Sequence, residues 1–160
     1  MCALAKRDCR KALEKTRVIC NPWFRAQALA WVARYTEDDP IKIAKQAAKA
    51  AAECDDEYKQ TAVRAWEIAA LAERKLLTEA RKILRLALAQ SRSVMPLSSR
   101  AEALMLLLQA ACRISPSDAR GVAEEVTNAC GNDSHWRCKR AIRDAGKLVH
   151  GQVEPRQFFW

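Results

Sequence analysis

Apolar residues recur along the chain at intervals of three and four, the spacing that places side chains on one face of an α-helix. Short polar or proline-containing breaks separate these runs, for example Asp39-Pro40 and Ser115-Pro116, which each supply a cap and a first-turn proline. Because the breaks are short, successive helices are expected to run antiparallel. The pattern predicts eight helices, over residues 3–19, 23–36, 40–54, 57–74, 77–91, 98–113, 116–130 and 134–149.

Alternate helices have similar sequences. When Cys20, Cys54, Ser91 and Cys130 are placed in one column, the positions eleven, seven and four residues earlier are small or apolar in nearly every row. These positions lie on one face of a helix, so the face is expected to pack closely against a neighbouring helix. We call it the small-residue seam, and its members are Cys9, Leu13, Thr16, Ile43, Ala47, Ala50, Ala80, Leu84, Ala87, Ala119, Ala123 and Val126.

The remaining helices share a second column, in which an apolar pair follows a basic residue by three positions. The pairs are Ala28-Leu29, Ala62-Val63, Ala103-Leu104 and Ala141-Ile142, preceded by Arg25, Lys59, Arg100 and, as an exception, Cys138. The two columns repeat every 34 to 41 residues. Two-helix units of this length cannot bury their apolar faces alone and are expected to stack with a shared core.

This repetition predicts one helical-repeat domain over residues 1–150. Its helix pairs are 23–54, 57–91 and 98–130, flanked by helices 3–19 and 134–149, and an aromatic tail follows at 151–160. A globular helical bundle with coincidental periodicity is the alternative.

Two rows carry a resemblance to a known class of repeat. RAQALAWVARYTEDDPIKIAKQAAKAAAEC (25–54) and RAEALMLLLQAACRISPSDARGVAEEVTNAC (100–130) resemble tetratricopeptide-type helix pairs, in which an Arg-x-x-Ala-Leu helix precedes an alanine-rich helix. The AVR of residues 62–64 is equally similar to HEAT-type repeats. The resemblance implies an all-α fold, a right-handed α-α superhelix (a tetratricopeptide, HEAT or armadillo-like solenoid) of about eight antiparallel helices. It also implies function by binding, on a concave surface lined by one helix of each pair, with no catalytic residues.

Composition agrees with helices and bears on the compartment. Half of the residues are apolar, and alanine and leucine dominate them. The seven cysteines are an odd number, so one chain cannot pair all of them, and we expect a reducing, cytoplasmic environment. No apolar stretch approaches eighteen residues, so no membrane span is expected.

Charge suggests where a partner binds. Lys and Arg number 28 against 19 Asp and Glu, a net charge of +9 that favours acidic partners. Lys11, Lys45 and Lys82 lie nine residues before the cysteine column, on the side opposite the small-residue seam. We call them the lysine ladder. Its basic neighbours are Arg10, Lys42, Lys49, Arg81 and Arg85.

This basic surface predicts a non-catalytic scaffold that holds another protein or an acidic peptide. A HEAT-like solenoid that binds the phosphates of a nucleic acid is the alternative function. The plainer interpretation is a solvated helix face that binds nothing.

Aromatic residues are the next candidates. Trp31 and Trp66 lie within helices among small residues, so both are expected in the core. The tail sequence EPRQFFW contains three consecutive large rings that should not remain in water. We expect it to cover the exposed face of the last helix, and insertion into another chain is the alternative.

Candidates for catalysis or metal binding are few. The segment CGNDSHWRC contains Cys130, Asp133, His135 and Cys138, but their spacing matches no common zinc module. Packing and helix capping are the expected roles of these residues. The chain also lacks a glycine-rich phosphate loop and a nucleophile-elbow sequence. We therefore expect no catalytic residue, no metal and no cofactor.

Overall fold

The structure is a computed structural model that describes residues 2–160. Met1, the first residue of the predicted domain, lies outside the described residues. The described part is all-α and has no strand, which confirms the predicted class. Its helices are α1 (Cys2–Arg7), α2 (Cys9–Thr16), α3 (Pro22–Tyr35), α4 (Pro40–Ala52), α5 (Glu57–Ala62), α6 (Arg64–Glu73), α7 (Leu77–Ser91), α8 (Leu97–Ala111), α9 (Pro116–Cys130) and α10 (Trp136–Val149).

Six of the eight predicted helices form with ends within two residues of those expected. The predicted helix 3–19 is instead divided at Asp8, whose carboxylate accepts a hydrogen bond from the Lys11 backbone N–H at 2.9 Å and so caps a new helix. The predicted helix 57–74 is divided at Val63, where Trp66 N donates to Val63 O at 3.2 Å. That three-residue spacing is typical of a 3₁₀ turn, so α5 and α6 follow one another through a tightened turn.

Three helix starts use the same cap. The side-chain oxygens of Asn21, Asp39 and Ser115 accept hydrogen bonds from backbone N–H groups in the first turn, at 3.0 to 3.1 Å. A proline follows each cap as the first helical residue, where its missing N–H costs no hydrogen bond. These local signals explain why the starts were predictable.

The helices pack as two sets. We call α1, α3, α5–α6, α8 and α10 the first helices and α2, α4, α7 and α9 the second helices. Each first helix packs against the next first helix, and each second helix packs against the first helices before and after it. Packing between neighbours one or two places apart along the chain is compatible with a helical-repeat class. Within residues 2–160, no helix combines the length and apolar character that crossing a membrane requires.

The small-residue seam is the packing face of the second helices. Ala47 and Leu84 are only 2% and 4% exposed, so the seam lies in the core as predicted. Cys9, Leu13 and Ala123 are its half-buried members. The apolar pairs of the second column are buried too, except that Ile142 is half-buried.

Four side-chain contacts join residues 37 to 39 positions apart, close to one predicted repeat period. Arg34 Nε donates to Glu73 Oε2 at 2.6 Å, and Arg81 Nε donates to Asp118 Oδ2 at 3.1 Å. The other two contacts join Arg74 to the carbonyl oxygen of Thr36 and Arg140 to Glu102. Polar contacts therefore connect successive helix pairs at the same interval as the sequence repeat.

A second repeated bond ties three first helices to the loops before them. Arg25 Nη1 donates to Ile19 O at 3.1 Å and Arg100 Nε donates to Val94 O at 3.2 Å. In the helix between them the equivalent donor is Gln60, whose Nε2 donates to Cys54 O at 2.8 Å. The sequence alignment placed Lys59 in this column.

Lys59 has different partners. Its ammonium binds Asp55 at 2.7 Å and Asp56 at 3.2 Å. The structural register of α5 is therefore one residue later than the sequence register.

The seam can be tested by overpacking it. Ala87 is fully buried and Ala89, on the same helix, is exposed. Ala87→Leu should lower the free energy of unfolding by about 1–3 kcal/mol because the close-packed seam has no room for three more carbons. Ala89→Leu is the matched control and should change it by less than about 0.5 kcal/mol. Urea titrations followed by helical circular dichroism measure both, and equal effects would contradict close packing at the seam.

Candidate binding groove

A groove of about 570 Å³ opens on the side formed by the first helices. Rings from α3, α5 and α6 line it, and Leu106 of α8 closes one side. Residues 155–160, which we call the aromatic segment, also contribute to its wall through Arg156 and Trp160. The lining rings of the helices are Trp23, Phe24, Trp31, Tyr58 and Trp66.

Helix α8 holds the backbone of the aromatic segment. Arg156 N donates to Gln109 Oε1 at 2.7 Å. Arg113 Nη2 donates to the carbonyl oxygens of Arg156 at 2.7 Å and of Pro155 at 3.3 Å. These bonds contact main-chain atoms, so they fix the position of the segment without selecting its side chains.

Rings of the aromatic segment pack on two tryptophans one repeat apart. Phe158 meets Trp66 with ring centroids 5.3 Å apart, and Phe159 meets Trp31 at 5.1 Å, both edge to face. This geometry is favoured because the positive ring edge faces the negative ring face. Phe158 is fully buried and Phe159 is 5% exposed, whereas Trp160 is 62% exposed although it also contacts Trp31.

Arg156 adds a cation–π contact. Its guanidinium lies 4.9 Å from the centroid of the Trp66 ring and 5.7 Å from that of Phe158. Arginine favours this arrangement because its planar, weakly hydrated cation stacks on an aromatic face. The segment therefore contacts α8 through its backbone and α6 and α3 through its side chains.

Trp23 extends the ring network beyond the segment. It stacks on Tyr58 at 6.3 Å and meets Trp66 edge to face at 5.9 Å. Burial, and secondarily the charge of Glu102, raises the pKa of Tyr58 above its usual value, so its hydroxyl stays protonated at neutral pH. Trp23, Phe24 and Tyr58 also line an adjoining pocket of about 480 Å³. The aromatic surface is thus wider than the part that the segment covers.

The tail packs on a different part of the chain from the one that the sequence predicted. The aromatic segment does fold back within the chain, but it packs on α3, α6 and α8, not on the last helix. Trp31 and Trp66 each give one of the two buried phenylalanines an edge-to-face partner, and these contacts place the segment on the first helices. Trp31 and Trp66 are core residues as predicted, at 4% and 5% exposure.

The lysine ladder lies on other helices than the groove. Lys11, Lys45 and Lys82 are exposed on α2, α4 and α7, which are second helices. Of their basic neighbours, Arg81 is half-buried and bound to Asp118. The other neighbours, Arg10, Lys42, Lys49 and Arg85, are exposed. The two candidate surfaces therefore belong to different helix sets.

In segment 130–138, the two cysteines pack in the core, and Asp133 and His135 accept backbone hydrogen bonds at the start of α10. Cys130 and Cys138 are both fully buried, and burial, with a smaller effect of the neighbouring Cys138 thiol, raises the pKa of Cys130 to about 12. Asp133 Oδ1 accepts from His135 N at 2.6 Å, and His135 Nδ1 accepts from Arg137 N at 3.2 Å. Among residues 2–160 the structure assembles no group of three or more metal-ligating side chains.

Glu67 is the one carboxylate that the described chain buries almost completely, at 2% exposure. Its Oε2 accepts from Arg64 Nε at 2.6 Å. Burial raises its pKa and the Arg64 charge opposes that rise. The pair lies within α6 and is explained by packing of this helix, since a buried charge needs a close partner.

No family model matches the chain, and neither does any curated protein or solved structure. The candidate site therefore rests on its geometry alone.

Sequence reasoning missed the groove although one signal was present. Trp31 and Trp66 recur at one repeat interval in the first helices, and the same chain carries a cluster of rings at 158–160. Aromatic positions that recur at the repeat period indicate a ring-lined face across successive helices. Their partner in the tail is not indicated, because no local pattern specifies contacts between residues 92 and 128 positions apart.

Docking of the aromatic segment can be tested by removing its buried ring. A buried Phe→Ala change costs about 3–5 kcal/mol in a protein core, and here the loss is limited by the free energy of docking the segment. In Phe158→Ala, the Arg156 amide that binds Gln109 should therefore exchange with solvent deuterium much faster. Trp160→Ala, which removes a largely exposed ring, is the control and should change the exchange little. Equal protection of the amide in both variants would show that the segment does not depend on Phe158.

Proposed function

We propose that the chain is a non-catalytic binding module that holds a peptide segment of another protein in the groove on its first helices. One observation carries the proposal: residues 155–160 of the chain itself pack on the rings of the first helices without forming a helix, and Arg156 and Trp160 form part of the wall of this groove. A surface that accepts six such residues has the size and chemistry to accept a peptide of similar kind.

The architecture proposed for this module is an α-solenoid, a right-handed superhelix of the tetratricopeptide, HEAT or armadillo type. Packing between helices one or two places apart supports it. The four side-chain contacts at 37 to 39 residues support it as well, because a stacked repeat brings equivalent positions together at its own period. In such an array the first helices share one side, which is how the rings of α3, α5 and α6 come to line one groove.

The chemistry of the groove suits a peptide ligand. Tryptophan and tyrosine offer large contact areas with few rotatable bonds, so binding to them costs little side-chain entropy. Gln109 and Arg113 contact backbone atoms, which every peptide possesses. Ring pockets for side chains combined with polar groups for the backbone are the usual means of recognising a peptide segment.

A peptide-display library tests the proposal. The target is the full chain with Phe158→Ala and Phe159→Ala, which frees the groove from its own segment. Enriched peptides should bind at least ten-fold more weakly when Leu106→Glu is added, because the charge enters an apolar wall of the groove. Leu106 is only half-buried, and circular dichroism checks that this variant folds.

The matched control for the library is Lys11→Ala with Lys45→Ala and Lys82→Ala, which leaves the groove intact and should leave binding unchanged. A library that yields no binding peptide, or peptides that depend on the lysines and not on Leu106, would overturn the groove as the peptide site. In the second case the ladder would be the surface for an acidic peptide.

Nucleic-acid binding is the second candidate function, and the exposure of all three ladder lysines on a chain of net charge +9 favours it. Each lysine–phosphate contact releases counterions, so affinity should fall steeply with salt. The observation that supports it is that each of three successive second helices exposes one of these lysines.

A salt titration with single-stranded and duplex DNA and RNA checks this function. Replacing Lys11, Lys45 and Lys82 together by alanine should lower the slope of log affinity against log salt by about 2–3. The control removes the same charge elsewhere, through Lys75→Ala, Lys139→Ala and Lys147→Ala, three exposed lysines outside the ladder. Absence of binding at low salt, or equal effects of both triple variants, would exclude the ladder as a phosphate site.

A further inference from the structure

We infer that the groove recognises a peptide in which an arginine is followed, two residues later, by two consecutive aromatic residues, and that the aromatic segment is an intramolecular competitor of this ligand. The inference rests on the proposed function and adds the class of ligand and its regulation. It is drawn from how each residue of the segment sits in the groove.

Three positions of the segment contact the groove through specific side chains. Phe158 is fully buried against Trp66, Phe159 is nearly so against Trp31, and Arg156 stacks on the open face of the Trp66 ring. Trp160 is mostly exposed, and Gln157 is exposed and bonds within the segment, from its Nε2 to Phe159 O. The contacts therefore define the pattern Arg-x-aromatic-aromatic, with tolerance at positions 157 and 160.

The backbone bonds set the register of this pattern. Gln109 accepts from the Arg156 N–H, and Arg113 donates to the carbonyl oxygen of the same residue. The amide and the carbonyl of one residue are thus held together, which places its side chain over Trp66. A peptide shifted by one residue would lose the stacking of its arginine on Trp66 that this register provides.

When the aromatic segment is docked, one N–H donor of Arg113 has no hydrogen-bond partner among the described residues. This donor, Nε, is buried. A buried N–H without an acceptor weakens docking of the segment. A ligand that supplies an acceptor at this point would gain a charge-assisted hydrogen bond that the segment lacks, and this favours exchange of the segment for a ligand.

The segment is joined to the last helix by an exposed link. Residues 151–154, which connect it to α10, are all exposed, and Gly151 has a positive φ of 67° that permits a sharp turn there. The four side-chain contacts between successive helix pairs do not involve residues 155–160, whereas release of the segment would expose the faces of Trp31 and Trp66 that Phe159 and Phe158 cover. A ligand must compete with a tethered segment, so its apparent affinity is lowered by the fraction of time the groove is closed.

Fluorescence anisotropy of a labelled peptide QVEPRQFFW, the sequence of residues 152–160, tests the inference. The peptide should bind the full chain carrying Phe158→Ala and Phe159→Ala at least ten-fold more tightly than it binds the unmodified chain. A peptide with alanine in place of both phenylalanines should lose binding to the opened chain. Replacing the peptide's arginine by alanine should weaken it several-fold, and replacing its last tryptophan should matter least.

A second measurement covers the case in which the double variant fails to fold. Hydrogen exchange of the unmodified chain at saturating peptide should accelerate at the Arg156 amide, since the peptide displaces the segment from Gln109. A scrambled peptide of the same composition is the control and should have no effect.

The outcomes separate the two proposals. If library peptides bind the groove but the Arg-x-aromatic-aromatic peptide does not compete with them, the ligand class is wrong and the proposed function remains. Equal affinity of the peptide for the opened and unmodified chains, with unchanged exchange at Arg156, would show that the segment is not a competitor. If neither the library nor this peptide binds, the proposed function itself fails.

Discussion

Close contact between small side chains on the second helices and the first helices is the constraint on which this structure depends. The distance between packed helices is set by the side chains at their contact, and alanine allows the shortest distances of the range of about 8–10 Å. Ala47, Ala50, Ala80 and Ala87 lie in this interface with 3% exposure or less. One consequence is that alanines at most seam positions let the two helix sets approach closely, while a few larger residues such as Ile43, Leu84 and Val126 fill the shared core between them.

The aromatic groove follows from the same constraint. Because the seam leaves little volume for large rings, the tryptophans and the tyrosine lie on the first helices, toward the opposite side. Side-by-side packing of the first helices then brings rings one repeat apart into one continuous surface. Such a surface exposes too much apolar area to stay uncovered, and the aromatic segment covers part of it with Phe158 and Phe159.

Charge is arranged separately from the rings. The lysine ladder lies on the second helices, and the basic residues near the rings, Arg113 and Arg156, are used in hydrogen bonds and ring stacking. The polar contacts between helix pairs, such as Arg34 with Glu73, hold successive units at one spacing. A peptide in the groove and an anion on the ladder would therefore use different helices and different chemistry.

The sequence by itself determined most of the helices, the caps at Asp39 and Ser115 and the buried seam, because these depend on spacings within some 40 residues that remain visible along the chain. It also placed Trp31 and Trp66 in the core. Two helix breaks escaped it, since Asp8 is a cap within an apparently continuous pattern and the tightened turn at Val63 has no cap or proline to mark it. The loop-binding role of Gln60 in place of Lys59 escaped it too.

Only the tertiary structure decided where residues 155–160 lie. Their apolar rings required burial, but several surfaces offered it, and the choice depended on which rings the packed helices bring together. Trp31, Trp66 and the end of α8 with the following Arg113 meet only after the first helices have packed side by side. A contact between residues so far apart in the chain is a property of that assembled surface, and no periodic pattern in the sequence encodes it.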